Sequence, residues 1–148
     1  MQLTHFTDLG MRVLIYLSQP EPQQPVTISE IAGVFQVSRN HLVKVVHFMA
    51  QQQWIITTRG KGGGLALAAA TDQYRLGQII AKLEGHTELI DCAAPACHLR
   101  GQCRLKSMLD QAQQAFYAAL DRHTLADAVA TPTREAIMHL HQLRFQAY

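Results

Sequence analysis

The residues best suited to metal or redox chemistry are three cysteines. Cys92, Cys97 and Cys103 are the only cysteines among the 148 residues, and their spacing is C-x4-C-x5-C. Clustered thiols in a reducing compartment typically bind metal or carry out redox chemistry, and an odd number cannot form a closed disulfide set. The spacing lacks the C-x2-C knuckle of most structural zinc sites. Looser thiolate loops suit an iron–sulfur cluster, either [2Fe–2S] or [4Fe–4S].

Three thiolates leave a four-ligand site one ligand short. The missing ligand must be another residue type, a residue from elsewhere or a small molecule. Asp91 and His98 lie in the cysteine segment itself, and His5, Asp8 and Arg12 lie near the start of the chain. Surface histidines are common, and an aspartate in the first turns of a helix is favoured by the helix dipole alone. Spacing therefore leaves these alternatives open.

A second chemical pattern is a stretch that carries only positive charge. Although the net charge of the whole chain is only +2, no Asp or Glu occurs between Ile31 and Thr71. The basic residues in that stretch are Arg39, Lys44, Arg59 and Lys61. A locally basic segment on a nearly neutral chain predicts an anion-binding face.

The elements that must position these charges begin with three helices. Apolar residues at helical spacing predict a first helix over residues 1–18, and the Pro-rich residues 19–25 predict a loop. Thr27 followed by Glu30 is a capping-box pattern that opens a short second helix. Ser38 is expected to cap a third helix over roughly Arg39 to Gln52. Two short helices with a tight connection resemble a helix-turn-helix.

The outer face of the third helix has the composition of a DNA-recognition helix. Arginine and lysine suit guanine or phosphate, asparagine suits adenine, and no acidic residue is interspersed. The residues predicted to enter the major groove of double-stranded DNA are Ser38, Arg39, Asn40, His41 and Lys44.

A glycine-rich hairpin is predicted next. The strand-like segments WIITT and LALA flank a turn with Arg59, Lys61 and four glycines. Glycine allows close backbone approach, and the two cations are placed to meet phosphate or the minor groove. A hairpin directly after a helix-turn-helix makes a winged helix. A phosphate-binding loop is excluded, because the glycine spacing differs from GxxxxGK[ST] and no βαβ unit surrounds it.

The predicted fold class is therefore mainly α: a winged helix-turn-helix with a small β-hairpin wing and a long dimerisation helix. That helix, Arg104 to Arg122, carries one apolar stripe, and pairing with its copy would give a homodimer matched to a palindromic operator. The predicted units are a DNA-binding domain (1–84), a cluster-binding loop (85–103), the dimerisation helix with the following turn (104–129) and a tail without an assigned role (130–148).

Targeting features point to the cytoplasm. No signal-peptide pattern is visible, and no apolar run approaches the roughly 18 residues of a membrane span. The expectation is a soluble cytoplasmic protein without a membrane partner.

The combination of VSRNHLVKVV, TTRGKGGGLALA and three cysteines before a long helix resembles the iron–sulfur winged-helix repressors. The likeness covers about residues 1–129. The cysteine spacing and the opening MQLTHFTDLGMRVLIYL are most similar to the nitric-oxide-sensing NsrR subfamily. The cluster-assembly regulators related to it, of the IscR type, differ in cysteine pattern and histidine ligand.

The resemblance implies a transcription repressor that senses nitric oxide through its cluster and releases DNA when the cluster is nitrosylated or lost. It also implies that an aspartate of the partner subunit supplies the fourth ligand, which maps onto Asp8, with Arg12 as its neighbour. A carboxylate is a hard ligand beside three soft thiolates, so one iron would be easier to attack, as a sensor requires.

Three alternatives remain at the level of sequence. One is a regulator of cluster assembly, or a general redox regulator, with the same fold. Another is a zinc-stabilised binding module without sensing. The third, a thiol oxidoreductase, lacks both a CxxC motif and a thioredoxin-like βαβ context. A non-enzymatic regulator is therefore expected.

Overall fold

The computed structural model describes residues 2–19, 25–60, 62–85 and 88–146, and it is a mainly α winged helix. A two-stranded antiparallel hairpin pairs Ile55 with Leu67. The elements are α1 (His5–Leu17), α2 (Ile28–Phe35), α3 (Arg39–Gln51), β1 (Ile55–Thr57), β2 (Leu65–Leu67), a 3-10 turn (Thr71–Gln73), α4 (Leu76–Glu84), α5 (Arg104–Leu120), α6 (Leu125–Ala128) and α7 (Thr133–Gln146). The predicted fold class and element order are confirmed.

The helix-turn-helix is built around α1, whose buried face packs against the inner face of α3. The fully buried side chains include Leu9, Val13 and Leu14 from α1 and Leu42 and Val45 from α3. This apolar contact excludes water from both helices and fixes their relative position. The outer face of α3 is left exposed.

The two helix starts in this motif differ from each other. The Thr27–Glu30 capping box forms as predicted. Gln36 ends α2 in the left-handed conformation with φ of 51°, which turns the chain sharply into α3. Ser38 occupies the predicted N-cap position of α3, but its side chain makes no capping hydrogen bond, so that part of the prediction is wrong. The exposed first turn of α3 can satisfy its amides with water instead.

The glycines of the hairpin hold it against the rest of the domain. The Leu65 amide donates to the Val26 carbonyl at 2.8 Å. A Cβ on Gly64 would lie 2.8 Å from that same carbonyl oxygen, and a Cβ on Gly63 would meet the Thr58 carbonyl. Both positions therefore require glycine for close packing within the chain. From the sequence alone, this role could not be distinguished from close approach of the backbone to a ligand.

The last turn of α5 is fastened to the start of α4. A Cβ on Gly77 would meet the carbonyl oxygen of Tyr117 and the backbone of Asp121. The Asp121 carboxylate accepts a hydrogen bond from the Gln78 amide at 3.2 Å, and the Leu76 amide donates to the His123 carbonyl at 3.0 Å. Asp121 thus satisfies a backbone amide at the open N-terminus of α4.

Substituting Gly77 should destabilise this junction. We expect Gly77→Ala to lower the free energy of unfolding by about 1–3 kcal/mol, because the added methyl group must displace α5 from α4. Gly33→Ala is a matched control, since Gly33 also lies within a helix but has nothing within 4 Å of its Cβ position. It should be neutral or stabilising by up to about 1 kcal/mol. Equal effects in urea titrations would contradict the assigned contact.

The N-terminal half of α5 stands away from the core. No residue of α5 is buried, and the side chains of Leu105 and Met108 are 58% and 56% exposed. Tyr117 and Leu120, near the other end, pack against the core. The predicted apolar stripe therefore divides into a part that the chain covers itself and a part that it leaves open.

The tail, for which the sequence indicated no role, folds into α7 and returns to the first helix. Ile137 and His141 are only 4% and 7% exposed. Within the described residues, no helix is both long and apolar enough to cross a membrane.

Candidate functional site

The predicted DNA-binding side chains lie together at the exposed start of α3. Ser38, Arg39, Asn40, His41 and Lys44 are all exposed. The Nε of Arg39 donates to the Ser29 hydroxyl at 3.1 Å, which ties the first turn of α3 to α2. Arg59 is exposed on the wing. Lys61 falls outside the described residues, so its predicted role stays a prediction.

The start of α1 borders this face, which sequence patterns alone did not indicate. The His5 ring meets the edge of the His41 ring with centroids 6.0 Å apart. A cavity of about 180 Å³ lies between the two helices, lined by His5, Phe6, Leu9, His41, Lys44 and Val45. The first helix is therefore a direct neighbour of the recognition helix as well as its support.

Asp8 and Arg12 form an ion pair on the same helix. The Arg12 Nε lies 2.9 Å from the Asp8 Oδ1, and the His5 Nδ1 lies 3.9 Å from the Asp8 Oδ2. The Arg12 guanidinium also sits over the Phe35 ring, 5.6 Å from its centroid. Phe35 is the last residue of α2, so Asp8 is linked through Arg12 to the turn that leads into α3.

The cysteine segment is a series of tight turns that leads into α5. The Asp91 Oδ1 accepts from the Ala93 amide at 2.7 Å, and the Cys97 amide donates to the Cys92 carbonyl at 3.2 Å. Cys103 occupies the N-cap position of α5. All three thiols are free; Cys97 is exposed and the other two are half-buried. His98 is exposed.

Cys92 and Cys103 line a cleft of about 660 Å³. The ammonium group of Lys106 lies in the same cleft and is paired with two carboxylates. The Lys106 Nζ lies 2.7 Å from the Asp110 Oδ2 and 3.5 Å from the Glu88 Oε2. These contacts, the Asp110 hydrogen bond above all, raise the pKa of Lys106. Sequence reasoning missed Lys106, although its position one turn after Cys103 on a helix was a usable signal.

The surroundings of the Cys92 thiol include groups that raise its pKa and one that lowers it. Burial raises the pKa of the Cys92 thiol, repulsion from Cys97 raises it further, and the Lys106 ammonium lowers it. In the described part of the chain, no three Cys, His, Asp or Glu side chains converge closely enough to hold a metal ion. The Asp8 carboxylate contacts His5 and Arg12, which both belong to α1. The chain thus gathers the thiols along one segment without bringing them to a common point.

A family model described as Rrf2, iron-dependent transcriptional regulator, matches residues 3–131. The chain belongs to the Rrf2 family. Rrf2 proteins are transcription regulators that bind DNA and act as dimers. The chain is therefore a transcription regulator of the DNA-binding kind.

Solved structures of Rrf2 regulators share the fold. CymR of B. subtilis, the global cysteine regulator, is 23% identical, covers 86% of this chain and 95% of its own, and superposes with a TM-score of 0.69. IscR of T. potens is 22% identical over 87% of this chain and 86% of its own, with a TM-score of 0.68. The oxidised form of Staphylococcus aureus CymR is 24% identical over 86% of this chain and 95% of its own, with a TM-score of 0.65.

The Rrf2 match ends at residue 131, just before α7 begins at Thr133. The winged helix, the cysteine segment and α5 therefore lie within the residues that the family model matches, and α7 begins after them.

Proposed function

We propose that this chain is a homodimeric repressor that senses nitric oxide through an iron–sulfur cluster held by Cys92, Cys97 and Cys103. The observation that carries the proposal is the position of three free thiols on one segment that opens onto a cleft at the start of an uncovered helix. Soft thiolates are the donor set that iron–sulfur clusters require, and the cleft provides the space. Because metal binding is coupled to folding, the loop can close around the group as it binds.

DNA binding in this proposal uses the start of α3 and the wing. Arg39 and Asn40 are placed to read base edges, and Lys44 and Arg59 to contact phosphates. The free hydroxyl of Ser38 and the imidazole of His41 add hydrogen-bonding groups to the same exposed end, and Lys61 is a further cation that we expect to contact DNA. Two such surfaces in a dimer would match the two halves of a palindromic operator.

Substitutions on this face should separate base reading from phosphate binding. We expect Arg39→Ala to lower the free energy of operator binding by about 1–3 kcal/mol and to relax the sequence preference at one base position. Lys44→Ala should weaken binding to all DNA sequences alike and lower the slope of log affinity against log salt concentration by about one. Lys82→Ala is the control, because Lys82 is exposed on α4, away from this face. Fluorescence anisotropy at several salt concentrations measures all three. Unchanged affinity in the first two variants would refute the assignment.

A dimer supplies what one chain lacks at the cysteine site. Three thiolates need a fourth ligand, and Asp8 is the residue that the family resemblance nominates, from the partner subunit. Within one chain Asp8 is paired with Arg12, and Arg12 rests on Phe35 at the end of α2. A change in what Asp8 binds would therefore alter the support of the turn before α3. When bound, the cluster would supply iron that reacts with nitric oxide.

Metal analysis after anaerobic purification, followed by nitric oxide titration with bound DNA, tests the proposal. Iron and acid-labile sulfide together with DNA release by nitric oxide would support it. Stoichiometric zinc instead would identify a zinc-stabilised module. A cluster whose DNA complex ignores nitric oxide and responds to iron supply or oxidants would favour the cluster-assembly or general redox regulator.

The fourth ligand has its own test. Asp8→Ala leaves three thiolates, so we expect the cluster to bind with an altered visible spectrum, faster loss in air and a changed nitric oxide response. His98→Ala is the comparison, because His98 lies between two of the thiols. Should the histidine variant change these properties and the aspartate variant match the wild type, the fourth ligand is local.

A further inference from the structure

Helix α7 docks against the C-terminal end of α1 through a buried histidine. The rings of His141 and Tyr16 stack with centroids 4.0 Å apart and an interplanar angle of 14°. The His141 Nε2 also lies 3.2 Å from the Tyr16 carbonyl oxygen. Tyr16 is fully buried, and Ile137 of α7 belongs to the same apolar cluster.

The His141 ring supplies a hydrogen-bond donor at the C-terminal end of α1. The last four carbonyls of a helix have no amide partner within the helix. The Nε2–H of His141 donates to one of these, the Tyr16 carbonyl, and removing one partner of a buried hydrogen bond is destabilising.

Tyr16 connects this contact to both ends of α2. Its hydroxyl donates to the Glu30 Oε1 at 2.7 Å, and the Glu30 Oε2 accepts from the Thr27 amide at 3.2 Å in the capping box. Its ring meets the edge of the Phe35 ring, with centroids 5.9 Å apart. One side chain thus joins α7 to the first turn and to the last residue of the helix that precedes the recognition helix.

We propose that α7 is a positioning element for the recognition helix, and that His141 acts through Tyr16 to hold α2 in the orientation that DNA reading requires. The inference rests on DNA binding by the winged helix and does not depend on the cluster. It goes beyond the residues that the family model matches, since α7 follows them.

The first test compares specific with non-specific DNA binding by full-length variants. The specific probe is a duplex that the wild-type protein selects from a random-sequence pool, and the non-specific probe is the unselected pool. His141→Leu should bind the selected duplex about three- to tenfold more weakly, the equivalent of one lost hydrogen bond, with little change on the pool. Mere loss of folded protein would lower both affinities by the same factor.

Matched variants isolate the contact. His139→Ala is the control, because His139 lies on the same helix but is exposed. His141→Gln keeps an N–H donor and should restore part of the specific affinity. Tyr16→Phe removes only the hydroxyl that reaches Glu30, and its effect should be less than additive with that of His141→Leu, because both interrupt one chain of contacts.

Amide hydrogen exchange in the absence of DNA tests the contact from His141 through Tyr16 to α2, even for a variant of low stability. His141→Leu should speed amide exchange at the end of α1 and the start of α2, while α4 remains protected. Equal losses on both DNA probes, full additivity with Tyr16→Phe, or unchanged exchange in α2 would each overturn the proposal. Failure of the wild type to select any duplex would count against DNA reading by the winged helix instead, and the exchange data would still decide the role of α7.

Discussion

Replacing any one of Cys92, Cys97 and Cys103 with serine should abolish the iron–sulfur absorbance of the anaerobically purified protein. The chain has three cysteines in all, so no other thiol can take the place of a lost one. A serine hydroxyl is a harder ligand and stays protonated near neutral pH, so it does not replace a thiolate on iron. We expect iron content to fall to background and the response of DNA binding to nitric oxide to disappear.

Ala96→Ser is the control for this experiment, because it places the same hydroxyl in the same exposed segment without removing a thiol. It should retain wild-type absorbance. Since no cysteine is buried, all four variants should keep the helical circular dichroism of the wild type. A cysteine variant that keeps full iron and sulfide would remove that thiol from the ligand set.

A charge at Met108 should convert the dimer into monomers. Met108 is 56% exposed on an α5 stripe whose neighbour Leu105 is 58% exposed, and these are the two large apolar side chains of α5 that are exposed. Pairing with a second copy would bury them, and burying an unpaired carboxylate is costly. Met108→Glu should therefore weaken self-association and operator binding by on the order of 100-fold or more.

Gln114→Glu is the matched control, because Gln114 is exposed and lies about 180° around the same helix from Leu105 and about 120° from Met108. Sedimentation velocity measures association, and anisotropy measures DNA binding. The same dimer fraction in both variants would place the interface elsewhere on the molecule.

Local patterns were sufficient to predict much of the fold. The Thr27–Glu30 capping box and the hairpin that follows the third helix depend on neighbouring residues, and both appear in the structure. The recognition helix was predictable because buried and exposed positions alternate along it with a helical period.

Contacts between distant parts of the chain were not predictable in this way. His141 reaches Tyr16 across 125 positions, and nothing in the local sequence marks that histidine as buried. The Lys106 site depends on where Glu88 lies in space. At Ser38, residue type predicts a side-chain cap, whereas the hydroxyl remains available because water can satisfy an exposed first turn.

The junction at Gly77 fixes the C-terminal end of α5 against α4, whereas the N-terminal end of α5 is not packed against the core. Cys103 precedes Tyr117, where α5 touches α4, by fourteen residues, which is about 21 Å along the helix at about 1.5 Å per residue. A rotation of about 5° about this contact would shift Cys103 by about 2 Å, which is comparable to the length of an iron–sulfur bond. Because Gly77 has no side chain, the two backbones touch directly at this contact, and the Asp121 carboxylate ties α5 to the Gln78 amide beside it. A displacement of about 2 Å at Cys103 and a change of about 5° in the angle between α4 and α5 would therefore be the same motion, measured at opposite ends of α5.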